Sequence, residues 1–268
     1  MSPLPATATR LRGATLARVF FRSLFLQATW NRRGMQNLGF AYAITPVLRA
    51  LYPEPARQEE ALRRHLGFFN CHPYMAAAIV GGAIHHEERV AAGAEPSGAP
   101  LAYKQVLQGP LAAVGDGFFW AGLRPAAGAA AALGTLALGW PALLAVIVAY
   151  NALSLRLRWT LFRAGYGAGD AVVDRVARLG LPRWAGRLRE AGVVAAGVAA
   201  GLLALRAGAR GAPPGGVPAW GAAAVALAAA LGGWAVLARG ARLLPAAWGA
   251  MALGAAAALA AARIAGGP

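Results

Sequence analysis

The chain has 268 residues and a formal net charge of +16, yet only 13% of its residues are charged and 58% are hydrophobic. The charged fraction is about half that of a typical soluble protein, and a soluble domain of this size cannot bury so much apolar surface. The composition therefore argues against a soluble basic binding protein and predicts a polytopic, mainly α-helical membrane protein. No nucleic-acid-binding fold or stacking motif accompanies the positive charge, so nucleic acid is not an expected partner.

The first region, residues 1–66, is basic and predicts amphipathic helices. The stretch "ATLARVFFRSLFLQATWN" predicts a helix lying along a membrane or a partner. The stretch "TPVLRALYPEPARQEEALRRHLGFF" predicts a helix, a Pro-rich break and a second amphipathic helix, whose acids precede arginines by four residues. The apolar residues that share the face of the first helix are Leu16, Val19, Phe20, Leu24 and Leu26.

The second region, residues 67–124, contains two short and interrupted apolar segments. In "FFNCHPYMAAAIVGGAIHHEERV" only about twelve residues between His72 and His85 are apolar, which is too short to cross a bilayer and fits either a re-entrant hairpin or a buried core helix. The second segment, "LAYKQVLQGPLAAVGDGFFW", is interrupted by glycine and proline. Two such segments indicate a transport site, because irregular backbone at membrane depth must line a cavity.

The third region, residues 125–268, holds the long uncharged runs at 125–155, 211–238 and 243–262. Their many Ala and Gly residues predict closely packed membrane helices. The eight arginines between residues 156 and 189 predict a basic loop on the cytoplasmic side. The shorter uncharged run 191–205 fits a short span, a tilted helix or a re-entrant piece.

Asp116 lies within an apolar stretch, where an acid is costly, and two interpretations are open. As a structural residue, Asp116 would cap the N-terminus of a helix that begins with "GFFWAGL". As a functional residue, it would accept hydrogen bonds from a polar substrate, aided by a bend at Gly109–Pro110. The two roles are compatible.

No motif in the chain predicts catalysis, a metal site or a cofactor. The adjacent histidines of "HHEE", residues 85–88, point about 100° apart on a helix and so do not easily share a metal ion. The cluster is more typical of a membrane boundary, although a substrate-contacting or gating acid at Glu87 or Glu88 is the alternative. The stretch "GYGAGD", residues 165–170, predicts a flexible loop, and the chain contains no Walker A sequence.

Four stretches resemble, in order and spacing, the successive blocks of the IID membrane component of the mannose-type sugar phosphotransferase system. The similarity extends from about Arg22 to Asp170, and beyond it rests on hydrophobic helices. The Phe-Phe-Asn-x-His-Pro and Gly-Pro-Leu…Gly-Asp blocks are specific in combination. The four stretches are "RSLFLQATWNRRGMQNLGFAYAITPVLRALY", "RHLGFFNCHPYMAAAIVGGAIHHEE", "YKQVLQGPLAAVGDGFFWAGLRP" and "LFRAGYGAGD".

The resemblance implies a permease subunit in a bacterial cell inner membrane, crossing it several times. It implies pairing with a IIC subunit, in a trimer of such pairs, to form the path of a hexose or amino-hexose. A soluble IIB subunit, charged by IIA, would phosphorylate the sugar, so this chain would itself be neither an enzyme nor a phosphohistidine carrier. Under this interpretation four residues are expected to contact sugar hydroxyls: Asp116, Asn70, His72 and Glu87.

The segment at residues 31–36 departs from the family pattern. The family carries Trp-Asn-x-Glu-Arg-Met-Gln, whereas this chain has Trp-Asn-Arg-Arg-Gly-Met-Gln, so the acid is absent and Gly34 replaces an arginine. Either a salt bridge is rewired or the partner subunit differs. The departure motivates an alternative function, that of a non-transporting membrane scaffold or receptor of the same ancestry.

Overall fold

The computed structural model describes residues 11–209, and helices make up most of this range. The predicted mainly α fold is confirmed, since the described part of the chain contains isolated β-bridges but no strand. The helices are α1 (Gly13–Ser23), α2 (Asn37–Leu51), α3 (Pro55–His65), α4 (Ala76–Ala91), α5 (Ala99–Gly115), a π-helical segment (Asp116–Leu123), α6 (Arg124–Leu138), α7 (Trp140–Ala168), a 3₁₀ turn (Gly169–Ala171), α8 (Val172–Arg178) and α9 (Leu181–Ala209).

Two helical stretches are long and apolar enough to cross a membrane, judged by length and composition. They comprise Ala99–Leu138, which joins α5, the π segment and α6, and Trp140–Ala199. Only 11% and 6% of their most apolar windows are buried within the protein. A core helix of a soluble protein would bury these residues, so their exposure favours contact with lipid. The first stretch is helical across residues 124 and 125, which is where the boundary between the second and third regions was expected.

Helix α4 lies at the centre of the core. Of the two alternatives for the segment 72–85, the structure has the buried core helix, and α4 is continuous through Gly81–Gly82. These glycines allow close packing rather than a break. A β-carbon on Gly81 would lie 2.1 Å from the carbonyl oxygen of Phe162, and one on Gly165 would lie 2.1 Å from the carbonyl oxygen of Ala78. The backbones of α4 and α7 therefore touch at this crossing.

The N-terminal helices pack on this core, whereas the sequence predicted amphipathic helices that lie along a membrane or a partner. The apolar face of α1 is buried at Val19 and Phe20, so its partner within the described structure is the protein itself. The Pro-rich break separates α2 from α3, and the expected pairing of acids with arginines four residues later is present between Glu59 and Arg63 at 2.6 Å.

The basic stretch 156–189 is helical rather than a loop. It comprises the end of α7, the 3₁₀ turn, α8 and the start of α9. Arginine is a good helix former, and the chain turns at Gly169 and Gly180, which have φ of +52° and +59°. The expected loop at "GYGAGD" is likewise mostly the last turn of α7. The cytoplasmic location of this stretch stays a prediction.

Helix α9 contains the ambiguous run 191–205 within a helix of 29 residues, so the run is not a short independent piece. Small residues bring α9 close to the π segment and α6. A β-carbon on Gly122 would lie 3.2 Å from the Cα atom of Ala185, and one on Gly192 would lie 3.1 Å from that of Ala126. This contact confirms the packing expected of Gly/Ala-rich helices. The runs 211–238 and 243–262 lie outside the described residues.

Candidate functional site

The loop between α3 and α4 carries two of the predicted site residues, and Gln36 fixes its backbone. The Gln36 side chain donates to the Cys71 carbonyl at 2.8 Å and accepts from the Cys71 N–H at 3.1 Å. The Gln36 N–H donates to the Phe69 carbonyl at 2.9 Å. An amide side chain thereby pairs with the loop as a neighbouring strand would, so residues 69–71 are held in one conformation.

His72 follows this loop and is buried against aromatic rings. Its imidazole is 3% exposed and stacks on Phe119, with ring centroids 4.8 Å apart and planes 10° from parallel. Trp120 meets the imidazole edge-on at 5.6 Å, and the Tyr74 N–H donates to Nδ1 at 3.3 Å. Burial, with a smaller contribution from the nearby Arg158 charge, lowers the pKa of His72 to about 4, so the ring is neutral near pH 7.

Asp116 opens the π segment and its side chain is exposed. The prediction that it caps a helix N-terminus is wrong, because α5 continues into the π segment without a break and no side-chain cap bond is formed. Pro110 lies inside α5 and does not end it. The π segment widens the helix where Asp116 and the aromatic residues follow one another, and π segments are frequent at functional sites.

The structure brings three of the four predicted residues together. The exposed Asn70 is tied to α5 through its backbone N–H, which donates to Gln108 Oε1 at 3.0 Å. At Gly115, next to Asp116, an added β-carbon would lie 2.4 Å from Cβ of His72. Burial raises the pKa of the Cys71 thiol to about 12, and the Asp116 charge adds to this effect. The loop and the start of the π segment therefore form one surface, called here the loop–π site (Asn70, Cys71, His72, Asp116).

Glu87 lies apart from the loop–π site, in a closed network inside the core. The carboxylate is fully buried; Tyr52 donates to Oε2 at 2.6 Å, and His65 Nε2 lies 2.8 Å from Oε1. The Arg64 guanidinium forms an ion pair with Oε1 at 3.1 Å, and Lys104 donates to the His65 carbonyl at 3.3 Å. Direct sugar contact at Glu87 would require this network to open.

Two pKa values reflect the closed network. Burial is the main cause of the low pKa of His65, about 4, which the hydrogen bond to Glu87 only partly offsets. Burial and the Glu87 carboxylate together raise the pKa of Tyr52 far above its ordinary value. Neutral Tyr52 thus donates to the Glu87 carboxyl group, neutral His65 lies within hydrogen-bond distance of it, and Arg64 supplies a positive charge beside it.

The "HHEE" segment forms polar contacts rather than a metal centre. His86 Nδ1 lies 2.7 Å from Glu95 Oε2, and Arg89 pairs with the other oxygen of Glu95. Partial burial opposes ionisation of Glu95, but the bonds from His86 and Arg89 hold its pKa below the ordinary value. Glu88 accepts from Tyr166 at 2.9 Å. No group of three metal-ligating side chains occurs within residues 11–209.

Acidification is expected to destabilise the folded protein between about pH 6.5 and pH 4. His65 and His72 have pKa values of about 4 when folded and 6.5 when free, so the unfolded chain binds more protons in this window. As the pH decreases through this window, the free energy of unfolding should decrease by up to about 1.4 kcal/mol per pH unit for each histidine. Thermal unfolding in detergent from pH 7.5 to 4.5 measures the slope, and His72→Asn should reduce it. An unchanged slope in His72→Asn would contradict a buried neutral ring.

Comparison with known proteins relates this architecture to one family. The family model described as "PTS system mannose/fructose/sorbose family IID component" matches residues 10–201. The mannose-specific EIID component of Escherichia coli K12 is 40% identical over 172 residues, which cover 62% of this chain and 60% of that protein. The fructose permease IID component of Bacillus subtilis is 34% identical over 172 residues, which cover 63% and 62%. The sorbose-specific EIID component of Lacticaseibacillus casei is 36% identical over 167 residues, which cover 62% and 59%.

The matched part therefore spans about 60% of the length of these curated relatives. Two solved structures are similar in fold. One, described as a mannose transporter in complex with microcin E492, has a TM-score of 0.57 at 29% identity and covers 94% of this chain and 97% of its own. The other, described as a membrane protein, has a TM-score of 0.63 at 35% identity and covers 71% and 70%.

Proposed function

We propose a function from the premise that this chain belongs to the mannose/fructose/sorbose IID component family of the sugar phosphotransferase system. The chain is a membrane permease subunit that forms, with a IIC subunit, the path of a hexose or amino-hexose. The observation that carries the proposal is the loop–π site, where a loop with polar groups packs against aromatic residues of a helical stretch long and apolar enough to cross a bilayer. Family membership and the similar mannose transporter support it.

The assembly and location in this proposal follow the family. The chain crosses the bacterial inner membrane several times and pairs with IIC, and three such pairs associate. Phosphoryl transfer to the sugar is carried out by IIB, which IIA charges, so this chain binds and conducts without catalysing. The exposed apolar surfaces of α6 and α7 supply area for lipid and for a partner helix.

Asp116, Asn70 and His72 each have a chemical role in the proposal. Asp116 accepts hydrogen bonds from sugar hydroxyls, and the Asn70 amide both donates and accepts. The buried neutral His72 ring packs on Phe119 and Trp120, and it supports the exposed Trp120 indole, against which the apolar face of a sugar can lie. Glu87 supports the path from within the core, and contacts sugar only in a conformation that opens its network.

The altered segment 31–36 is compatible with this function. Arg32 and Arg33 are exposed, whereas Gly34 is buried against Asn37, whose side chain occupies the space that a β-carbon would need. Gln36 retains its bonds to the loop. The departure at Arg33 thus alters the outer surface, where a partner subunit would lie, whereas the departure at Gly34 is buried against Asn37, and both leave the support of the loop–π site in place.

Asp116→Asn is expected to lower the apparent sugar affinity at least tenfold while leaving assembly intact. A hydrogen bond to a charged acceptor contributes about 1.5 to 3 kcal/mol, and asparagine keeps the shape without the charge. Uptake of labelled hexoses is measured in cells expressing this chain with its neighbouring IIC, IIB and IIA subunits, and complex yield is measured in parallel. Asp174→Asn, an exposed acid on α8, is the matched control and should transport normally.

Two results would count against the proposal. Normal uptake in Asp116→Asn would remove the substrate role of this acid. A correctly assembled wild-type complex that takes up no hexose or amino-hexose would instead favour the non-transporting scaffold or receptor.

A further inference from the structure

A polar cavity lies between α7 and α8. Its volume is about 300 Å³, and two guanidinium groups, a hydroxyl and an indole line it. The lining contains no carboxylate, and neither arginine forms an ion pair or hydrogen bond with another of the described residues. The lining residues are Trp159, Thr160, Arg163, Ala164 and Arg175.

Two arginines that line one cavity and have no counter-ion among the described residues suit a phosphate group. Arginine presents a planar set of N–H donors that matches phosphate oxygens, and the Thr160 hydroxyl adds a further polar atom to the wall. Thr160 already donates to the Arg156 carbonyl at 2.8 Å, so the lone pairs of its oxygen remain as acceptors for a ligand hydroxyl. The cavity thus offers charge to an anion and an acceptor to a neighbouring hydroxyl.

The position along α7 indicates the source of the phosphate. The uncharged part of α7 ends at Leu155, and at 1.5 Å per residue Trp159 and Arg163 lie roughly 6 Å and 12 Å beyond it. The headgroup region occupies about 5 to 8 Å on each side of the hydrocarbon core, so Trp159 lies within it and the backbone of Arg163 lies beyond it. Helix side chains lean toward the helix N-terminus, which here is the membrane side, so the long Arg163 side chain reaches back to headgroup depth. Trp159 is 38% exposed, and its ring meets Phe20 edge-to-face at 4.8 Å and stacks on Phe162 at 5.9 Å, a half-buried setting that is typical of an interfacial tryptophan.

We propose that the cavity formed by Arg163, Arg175, Thr160 and Trp159 binds the phosphate group of an anionic phospholipid. The site is independent of the loop–π site and of sugar transport. It ties α8 to the membrane surface at the point where the chain leaves α7, so a bound lipid would fix the turn at Gly169 between the two helices.

Native mass spectrometry of the detergent-purified complex tests the site with three probes. Phosphatidylglycerol carries the phosphate on acyl chains, diacylglycerol has the same chains without phosphate, and glycerol 3-phosphate has the phosphate without the chains. Phosphatidylglycerol is expected to bind, diacylglycerol to bind at least tenfold more weakly, and glycerol 3-phosphate to compete only at millimolar concentration. Equal binding of diacylglycerol overturns the proposal, and tight binding of glycerol 3-phosphate replaces lipid by a free phosphate ester as the ligand.

Arg163→Gln and Arg175→Gln should each lower phosphatidylglycerol affinity at least tenfold. Arg178→Gln, on the same exposed helix but outside the cavity lining, removes the same charge and should change affinity less than twofold. Equal losses in all three variants would show a diffuse charge effect and overturn the site. Arg163→Lys retains charge and solubility while losing the planar donor set, so it separates loss of binding from loss of folding. Sugar uptake, measured alongside, reports on the loop–π site separately.

Discussion

Gly165→Ala is expected to prevent the chain from accumulating as a folded protein. The new β-carbon would lie 2.1 Å from the Ala78 carbonyl oxygen and 2.9 Å from the Gly82 nitrogen, and both are backbone atoms of α4 that cannot rotate away. The two central helices would have to separate, which removes packing along their whole contact. We expect a loss above about 4 kcal/mol, a large part of the stability of a typical domain. Monodisperse yield after detergent extraction and size-exclusion chromatography measures the effect.

Gly167→Ala provides the matched control for Gly165→Ala. It lies two residues further along α7, is exposed, and a β-carbon there would meet nothing within 4 Å. Alanine should be neutral or slightly stabilising at this position, because glycine inside a helix costs about 1 kcal/mol relative to alanine. Gly81→Ala tests the crossing from the other helix and should match Gly165→Ala. Normal yield of Gly165→Ala would mean that α4 and α7 do not touch as described.

Glu87→Ala is expected to unfold the core or reduce its stability by about 3 to 5 kcal/mol. The substitution leaves the Tyr52 hydroxyl without its carboxylate acceptor and removes the buried counter-ion of Arg64, which retains only the Ser97 carbonyl at 2.8 Å and the exposed Glu60 at 3.9 Å. Removing one member of a buried ion pair is strongly destabilising because the remaining charge stays away from water. Chemical or thermal unfolding of the purified complex measures the loss.

Two variants define the cause of the effect at Glu87. Tyr52→Phe removes one hydrogen bond and keeps the ring, so it should cost about 1 kcal/mol. Glu59→Ala removes an acid of an exposed pair on α3 and should cost at most about 0.5 kcal/mol. If Glu87→Ala were as mild as Glu59→Ala, the network would not support the core, and Glu87 would be available to a substrate.

Periodicity and composition predicted much of the described fold. The apolar face of α1 and the break between α2 and α3 follow from local patterns, as does the pairing of Glu59 with Arg63. The exposed apolar helices follow from uncharged runs. These features depend on residues that are near one another in sequence, so local sequence patterns are sufficient to predict them.

The parts that could not be predicted depend on contacts between distant residues. Gln36 and Cys71 are joined over 35 positions, and no local pattern marks an amide that binds a loop backbone. Gly81 and Gly165 resemble helix breakers until the opposite helix is known. The burial of Glu87 was missed because its donors are Tyr52, just after α2, and His65 of α3, whereas a run of charges in sequence suggests a surface.

The prediction for Asp116 failed for a different reason. Glycine before an acid predicts a helix start, but here the helix continues by changing its hydrogen-bond pattern. The sequence alone does not distinguish the start of a new helix from a π-helical turn within a helix that continues. The functional prediction for Asp116 did not depend on the cap, so it stands as the substance of the proposed function.

The π segment at Asp116–Leu123 is a place where one half of the stretch Ala99–Leu138 could rotate about the helix axis relative to the other half. Its wider turns rotate the side chains of α6 about the helix axis relative to those of α5. The first half of the stretch packs on the loop at His72, and the second half packs on the small residues of α9. Tightening these turns to an α pattern would twist one half against the other about their common axis. Such a twist would rotate Asp116 and its aromatic neighbours relative to the fixed loop at His72 without bending the helical stretch.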